Sequence, residues 1–122
     1  MTEIKYLTRE EIIKIHERII EETGGTAGML NEGLLDLVLD QANISNDIIQ
    51  KSIVLLFGII QNHPLIDGNK RTALESLYTF LNYNSINIEV KNINQTEDII
   101  IKIAKGEISK NIVRKWINVL IG

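Results

Sequence analysis

No cysteine occurs anywhere in the chain, which excludes disulfides, thiolate catalysis and cysteine-based zinc sites together. A single proline leaves nothing from which to build a proline-rich linker. Aromatic residues are scarce, at 5%, so aliphatic side chains, isoleucine above all, must fill the interior. No segment has the ~18 uninterrupted apolar residues of a membrane span, and Met1-Thr2-Glu3-Ile4-Lys5 lacks the basic-then-apolar order of a signal peptide. A cytoplasmic protein with no membrane partner is therefore expected. Lysines and arginines are scattered, with no run of five or more, and the net charge is −3. Both features argue against direct binding of nucleic acid. Internal repeats and low-complexity tracts are absent as well.

What is present is enough apolar residue, 44% of the 122 positions, to build one core, and a single domain over residues 1–122 is expected. The periodicity is helical almost throughout. Glu3 to Leu7 reads as a short extended segment, and Thr8-Arg9-Glu10-Glu11 has the spacing of a capping box. The helix it opens carries Ile12, Ile15, Ile19 and Ile20 on one side and ends at Gly24-Gly25. Asn31 is placed to cap a second helix with Leu34, Leu35, Val38 and Leu39 as its apolar face. Ser45 or Asn46 opens a third, from about Asp47 to Asn62, apolar nearly all round and so central and buried. Pro64 stops it. A fourth begins near Asn69, with Ala73, Leu74, Leu77, Tyr78 and Leu81 facing inward. Ile86 to Val90 alternates with period two, as a short strand or simply extended chain. Two more helices follow, from about Thr96 to Lys105 and after Ser109, the last with Ile112, Val113, Trp116, Ile117 and Leu120 in register. The fold class is all-α, a bundle of about six helices with at most short extended segments.

The chemistry concentrates in nine residues between the third and fourth helices, His63-Pro64-Leu65-Ile66-Asp67-Gly68-Asn69-Lys70-Arg71. An imidazole such as that of His63 can take a proton from a hydroxyl at neutral pH. Asp67 offers a hard oxygen to Mg²⁺ arriving with nucleotide phosphates. Gly68 permits close approach of the backbone, and the amides of Gly68, Asn69 and Lys70 sit at a helix N-terminus, where unpaired donors and the dipole favour phosphate. Asn69, Lys70 and Arg71 add side-chain donors, the lysine a point charge and the arginine a planar fork. The set suits phosphoryl or nucleotidyl transfer, in which positioning and charge neutralisation carry the catalysis. It is neither a Walker loop nor a protein-kinase glycine loop. The residues alone establish an anion site beside a base.

The pattern His-Pro-x-x-Asp-Gly-Asn-x-Arg is similar to the active-site motif of the Fic superfamily, and Asn69-Lys70-Arg71-Thr72-Ala73-Leu74 resembles its Doc (death-on-curing) branch. Leu7-Thr8-x-Glu10-x-Ile12 with Ile15-His16, then Gly24-Gly25 and Gly28-Met29, resembles the opening of Doc proteins, and Ala104 to Ser109 their last inter-helix turn. The resemblance implies that His63 deprotonates a hydroxyl on a target protein and that Asp67 binds the magnesium bridging the nucleotide phosphates. It implies that Gly68, Asn69, Lys70 and Arg71 bind the phosphates. Lys70 stands where AMP-transferring Fic enzymes have glycine, and Leu74 where they have a second arginine; both departures favour transfer of the γ-phosphate of ATP. Leu65 replaces the usual phenylalanine, so a slight loosening of the loop is expected. No self-inhibitory helix motif is present, since Ser85-Ile86-Asn87-Ile88-Glu89-Val90 ends in valine. Restraint is then expected from an antitoxin whose disordered C-terminal segment folds into a surface groove. In that branch the substrate is a threonine of elongation factor Tu, and its phosphorylation blocks translation.

Blander readings stand beside these. His16, next to Glu17, is expected to be structural; Asp67 can serve as a helix cap instead of a metal ligand; Trp116 is core; and Glu75 is spaced to pair with Arg71. Protein AMP transfer and a non-enzymatic peptide-binding module on the same fold are the alternative functions. A metal phosphohydrolase is disfavoured, because its helical sites need several histidines and an adjacent His-Asp pair.

Overall fold

Five of the six helices start where a side chain can satisfy a free amide of the first turn. In the computed structural model, which describes residues 3–89 and 92–121, α1 (Arg9–Thr23) opens on a complete capping box between Thr8 and Glu11. α2 (Glu32–Asn43) is capped by Asn31, whose side chain accepts from the Leu34 amide. α3 (Ile48–Asn62) is capped by Asp47, not by Ser45 or Asn46. The aspartate accepts from the Gln50 amide and also meets Arg114 of the last helix at 3.0 Å. That hydrogen bond from Arg114 holds the Asp47 carboxyl below the usual range.

α4 spans Asn69–Tyr83 and α5 Ile93–Lys105. α5 begins three residues before the position its apolar pattern indicates, because the Asn92 side chain accepts from the Gln95 amide and takes the intervening residues into the helix. α6 (Lys110–Ile121) follows the Gly106 turn. Ile86 to Glu89 form no strand, and Val90 lies outside the described residues. Among the described residues the sole β-type pairing is an isolated antiparallel bridge between Met29 and Leu65.

α3 is the axis of the bundle. Ile53, Leu55, Leu56, Phe57, Ile59 and Ile60 are all buried, and α2, α4, α5 and α6 pack around it, with α1 lying across α4 and α2. α2 and α3 approach closely where Gly58 meets Val38: a Cβ on Gly58 would stand 2.5 Å from a Val38 methyl. In α6 the inward stripe is Val113, Trp116, Ile117 and Leu120, whereas Ile112 is 53% exposed. The stripe follows i, i+3, i+4, i+7, and Ile112, one residue earlier, lies ~100° off its line. No described helix is long and apolar enough to cross a membrane.

Candidate active site

The motif joins the C-terminus of α3 to the N-terminus of α4, two helices that pack tightly on each other, so both ends of the loop are anchored. α3 stops at Asn62, and His63 turns into the left-handed region (φ 50°, ψ 57°) while its amide still donates to the Ile59 carbonyl at 3.2 Å. Proline disfavours the right-handed helical geometry in its predecessor, and the left-handed turn costs a residue with a Cβ about 1–2 kcal/mol. It leaves the His63 side chain exposed at the helix end.

The remainder of the loop is laced to the α1–α2 connection. The Pro64 carbonyl accepts from the amides of Leu30 (2.8 Å) and Asn31 (3.0 Å), and the Ile66 amide donates to the Gly28 carbonyl at 3.2 Å. Leu65 is 1% exposed, and its backbone is gripped twice by Asn69, whose Oδ1 accepts from the Leu65 amide (3.0 Å) while Nδ2 donates to the Leu65 carbonyl (2.9 Å). The Asn69 side chain is thus engaged inside the loop, and its backbone N–H is what it presents outward.

Asp67 is held from three directions. Its Oδ1 accepts from the Gly68 amide at 2.9 Å, its Oδ2 from the Thr26 amide at 3.3 Å, and its own carbonyl from His16 Nε2 at 2.7 Å. The carboxylate lies over the backbone of Gly25, where a Cβ would come within 2.6 Å of Oδ2. Asp67 does not cap α4. The N-cap is Gly68 (φ 73°), with no side-chain cap bond, and the first backbone bond of the helix runs from Thr72 N–H to the Gly68 carbonyl at 2.9 Å. The amides of Asn69, Lys70 and Arg71 therefore have no intrahelical partner, the arrangement in which a helix end can hold an anion.

Among the described residues no group of three or more histidines, cysteines or carboxylates gathers into a metal cage. Mg²⁺ bound with a nucleotide needs only one or two carboxylates, the phosphates and waters. An exposed Asp67, seated in the cradle that Gly25 leaves open, fits that requirement.

Lys70 and Arg71 are exposed and form no ion pair among the described residues. Glu75 bonds Arg18 of α1, at 3.7 Å, and not Arg71. The two cations stand at one end of a groove of about 540 Å³ between α4 and α5, walled by Leu74, Tyr78, Ile93, Ile100 and Ile101. Burial, with help from Glu75, pushes the Tyr78 phenol up to about 12, so it stays a neutral donor. Among the described residues its hydroxyl has no partner.

Sequence reasoning missed what the α1–α2 connection contributes. His16, 2% exposed, is structural as expected, but its partner is the motif itself. A signal existed: His16 shares the face of Ile12 and Ile19 on α1, the place for an inward-facing polar residue that needs a partner. Thr26 and Gly25 left no such signal.

The sequence model of the Fic/DOC family matches residues 6–81. The chain is 30% identical, over 125 residues and 98% of each chain, to a protein named "Protein kinase doc" from Escherichia phage P1. It is 31% identical to "Toxin Doc" of Mycolicibacterium smegmatis over 112 residues, covering 85% of this chain and 82% of that relative.

Proposed function

This chain belongs to the Fic/DOC family, and we propose that within it the protein is the toxin of a toxin–antitoxin module, a kinase that moves the γ-phosphate of ATP to a serine or threonine hydroxyl of another protein. The observation that carries the reading is the uncapped N-terminus of α4. Three unbonded amides there stand between a carboxylate, two unpaired cations and an exposed histidine, all within one anchored loop.

The anion end of α4, with Lys70 and Arg71, binds and orients the phosphate chain. Gly68 admits it close to the backbone, and Asn69 acts through its amide and by holding the loop in shape. His63, in its neutral form, takes the proton of the acceptor hydroxyl. The freed oxygen forms a bond to the γ-phosphorus as the bond from phosphorus to the β–γ bridging oxygen breaks, and ADP departs. Asp67 would hold the Mg²⁺ that arrives with the phosphates, and the ion would neutralise the charge developing on them. Lys70, where a smaller residue would let the phosphate chain lie against the backbone, favours presentation of the γ-phosphate over AMP transfer.

The protein substrate proposed is elongation factor Tu, whose phosphorylation halts translation. The partner that restrains the enzyme is an antitoxin, its C-terminal segment lying in the groove between α4 and α5. That groove is largely apolar and ends at Lys70 and Arg71, so a segment bound there covers the cations that the phosphates need.

The test is to incubate the protein with Mg²⁺, ATP and elongation factor Tu and weigh the intact factor by mass spectrometry, with His63→Ala as control. One phosphate added by the wild type alone supports the reading. A gain equal to AMP replaces kinase activity with nucleotidyl transfer. No modification of the factor or of any protein in a cell lysate points to a binding module.

A further inference from the structure

We infer that His16 is a positioning residue for the phosphate site: it locks the Asp67–Gly68 peptide with its carbonyl turned inward and its N–H turned toward the reacting face. The inference rests on the proposed function, in which a phosphate chain binds at the N-terminus of α4.

His16 is 2% exposed, and its Nε2 lies 2.7 Å from the Asp67 carbonyl oxygen. A carbonyl can only accept, so Nε2 carries the hydrogen. In a trans peptide the C=O and N–H point in opposite directions, and pinning the oxygen against α1 therefore turns the Gly68 N–H the other way. There it donates to Asp67 Oδ1 at 2.9 Å and helps hold the carboxylate in place.

Gly68 makes the lock necessary. It has φ 73°, and glycine occupies both signs of φ with little preference. Rotation about Asp67 ψ and Gly68 φ can turn this peptide over without moving its neighbours far. The flipped peptide would present a carbonyl oxygen, with its partial negative charge, beside the unbonded amides of Asn69, Lys70 and Arg71. It would also take from Asp67 one of the two amides that hold its carboxylate. An anion site would then contain a repelling dipole. Nothing else among the described residues donates to the Asp67 carbonyl, so this one imidazole decides which way that peptide dipole faces the site. The His16 ring also lies against Gly68, 3.7 Å from where a Cβ would stand.

Two substitutions separate this role from simple packing. Gln at position 16 can place an amide N–H near the position of Nε2, whereas Leu fills the space without a donor. We expect His16→Leu to raise the KM for ATP roughly tenfold or more, the scale of one hydrogen bond to a charged group. The His63-dependent kcat should change much less, and His16→Gln should restore KM. Binding of tripolyphosphate, followed through the amide NMR signals of Gly68 and Asn69, should weaken in the same order, with thermal unfolding checking that each variant is folded. In the wild type, ¹⁵N-labelled histidine should show His16 as the Nε2–H tautomer. Equal tripolyphosphate affinity in wild type and folded His16→Leu, or an Nδ1–H tautomer in the wild type, overturns this inference alone. Failure of the wild type to bind tripolyphosphate or ATP overturns the proposed function and this inference with it.

Discussion

Asn69 grips the main chain of Leu65 on both sides, accepting from its amide at 3.0 Å and donating to its carbonyl at 2.9 Å. A short loop between two packed helices thereby gains a cross-brace from the first residue of α4. The brace holds Leu65, in place of the larger phenylalanine expected there, in its buried position.

The brace is testable by asking which half of the amide matters. Asn69→Ala leaves two partly buried backbone groups of Leu65 unpaired and should cost about 1–3 kcal/mol in stability. Asn69→Asp keeps the acceptor but sets a carboxylate oxygen against the Leu65 carbonyl, and should be at least as damaging. Urea unfolding of the three proteins decides it; an Asp variant as stable as wild type would show that the bond to the carbonyl contributes nothing.

Strain at His63, the base proposed above, should separate stability from activity. His63 adopts φ 50°, a conformation asparagine tolerates well and β-branched residues do not. His63→Asn should keep unfolding free energy within about 0.5 kcal/mol of wild type, and His63→Val should lose about 1–2 kcal/mol. Both should abolish phosphate transfer, read by intact mass. Transfer at the wild-type rate by the Asn variant would remove His63 from the mechanism.

Gly25 is where Asp67 can be disturbed from a distance in sequence. A Cβ there would stand 2.6 Å from Oδ2, on a backbone with φ +111°. Gly25→Ala should push the carboxylate aside, lowering activity roughly tenfold to a hundredfold and raising the Mg²⁺ concentration for half-maximal rate, with the helical circular dichroism unchanged. An unchanged Mg²⁺ dependence would mean that the position of this carboxylate is immaterial.

Gly58 tests the core independently of the site. Gly58→Ala improves helix propensity by about 1 kcal/mol, but the new methyl meets Val38 at 2.5 Å. Net destabilisation of about 1–2 kcal/mol is expected from overpacking, with partial recovery in Gly58→Ala/Val38→Ala. Denaturant midpoints for the cycle give the coupling directly; strict additivity would deny the contact.

The phenol of Tyr83 donates to Glu11, and this bond is the main cause of a carboxyl held below the ordinary glutamate value of 4.5 and a phenol raised above 10.0. The depressed carboxylate contributes stability that is present above its unfolded pKa and lost as pH falls through the folded one. The raised phenol contributes stability that is present below its unfolded pKa and lost as pH rises through the folded one. Tyr83→Phe should therefore be less stable than wild type near neutrality, and the gap should narrow on acidification below the glutamate range. Unfolding curves at several pH values test this; a gap that widens toward acid would assign the bond the wrong sign.

The features legible in advance share a length scale. The Thr8–Glu11 box, the Asn31 cap and the end of α3 at Asn62 all arise from interactions spanning three or four residues, and the order of neighbours along the chain settles those. Errors came where two local candidates competed or where a distant residue arbitrated. Asp47 prevails over Ser45 and Asn46 with Arg114 beside it. Asn92 captures a first turn that the apolar pattern of α5 does not mark. Glu75 turns to Arg18 on another helix, although Arg71 is only one turn away on its own.

By itself, then, the sequence determined six helices, the caps of the first two, and a motif carrying a histidine, a carboxylate and two cations in fixed order. Periodicity and capping are properties of adjacent residues, and chemistry is a property of residue type. Only the tertiary structure decided how those groups stand. The Asp67 carbonyl meets His16 across 51 positions of chain and its carboxylate meets Thr26 across 41. Contacts of that range exist only after α1 has packed on α4, because no local preference can turn a peptide toward a partner the chain has not yet brought near.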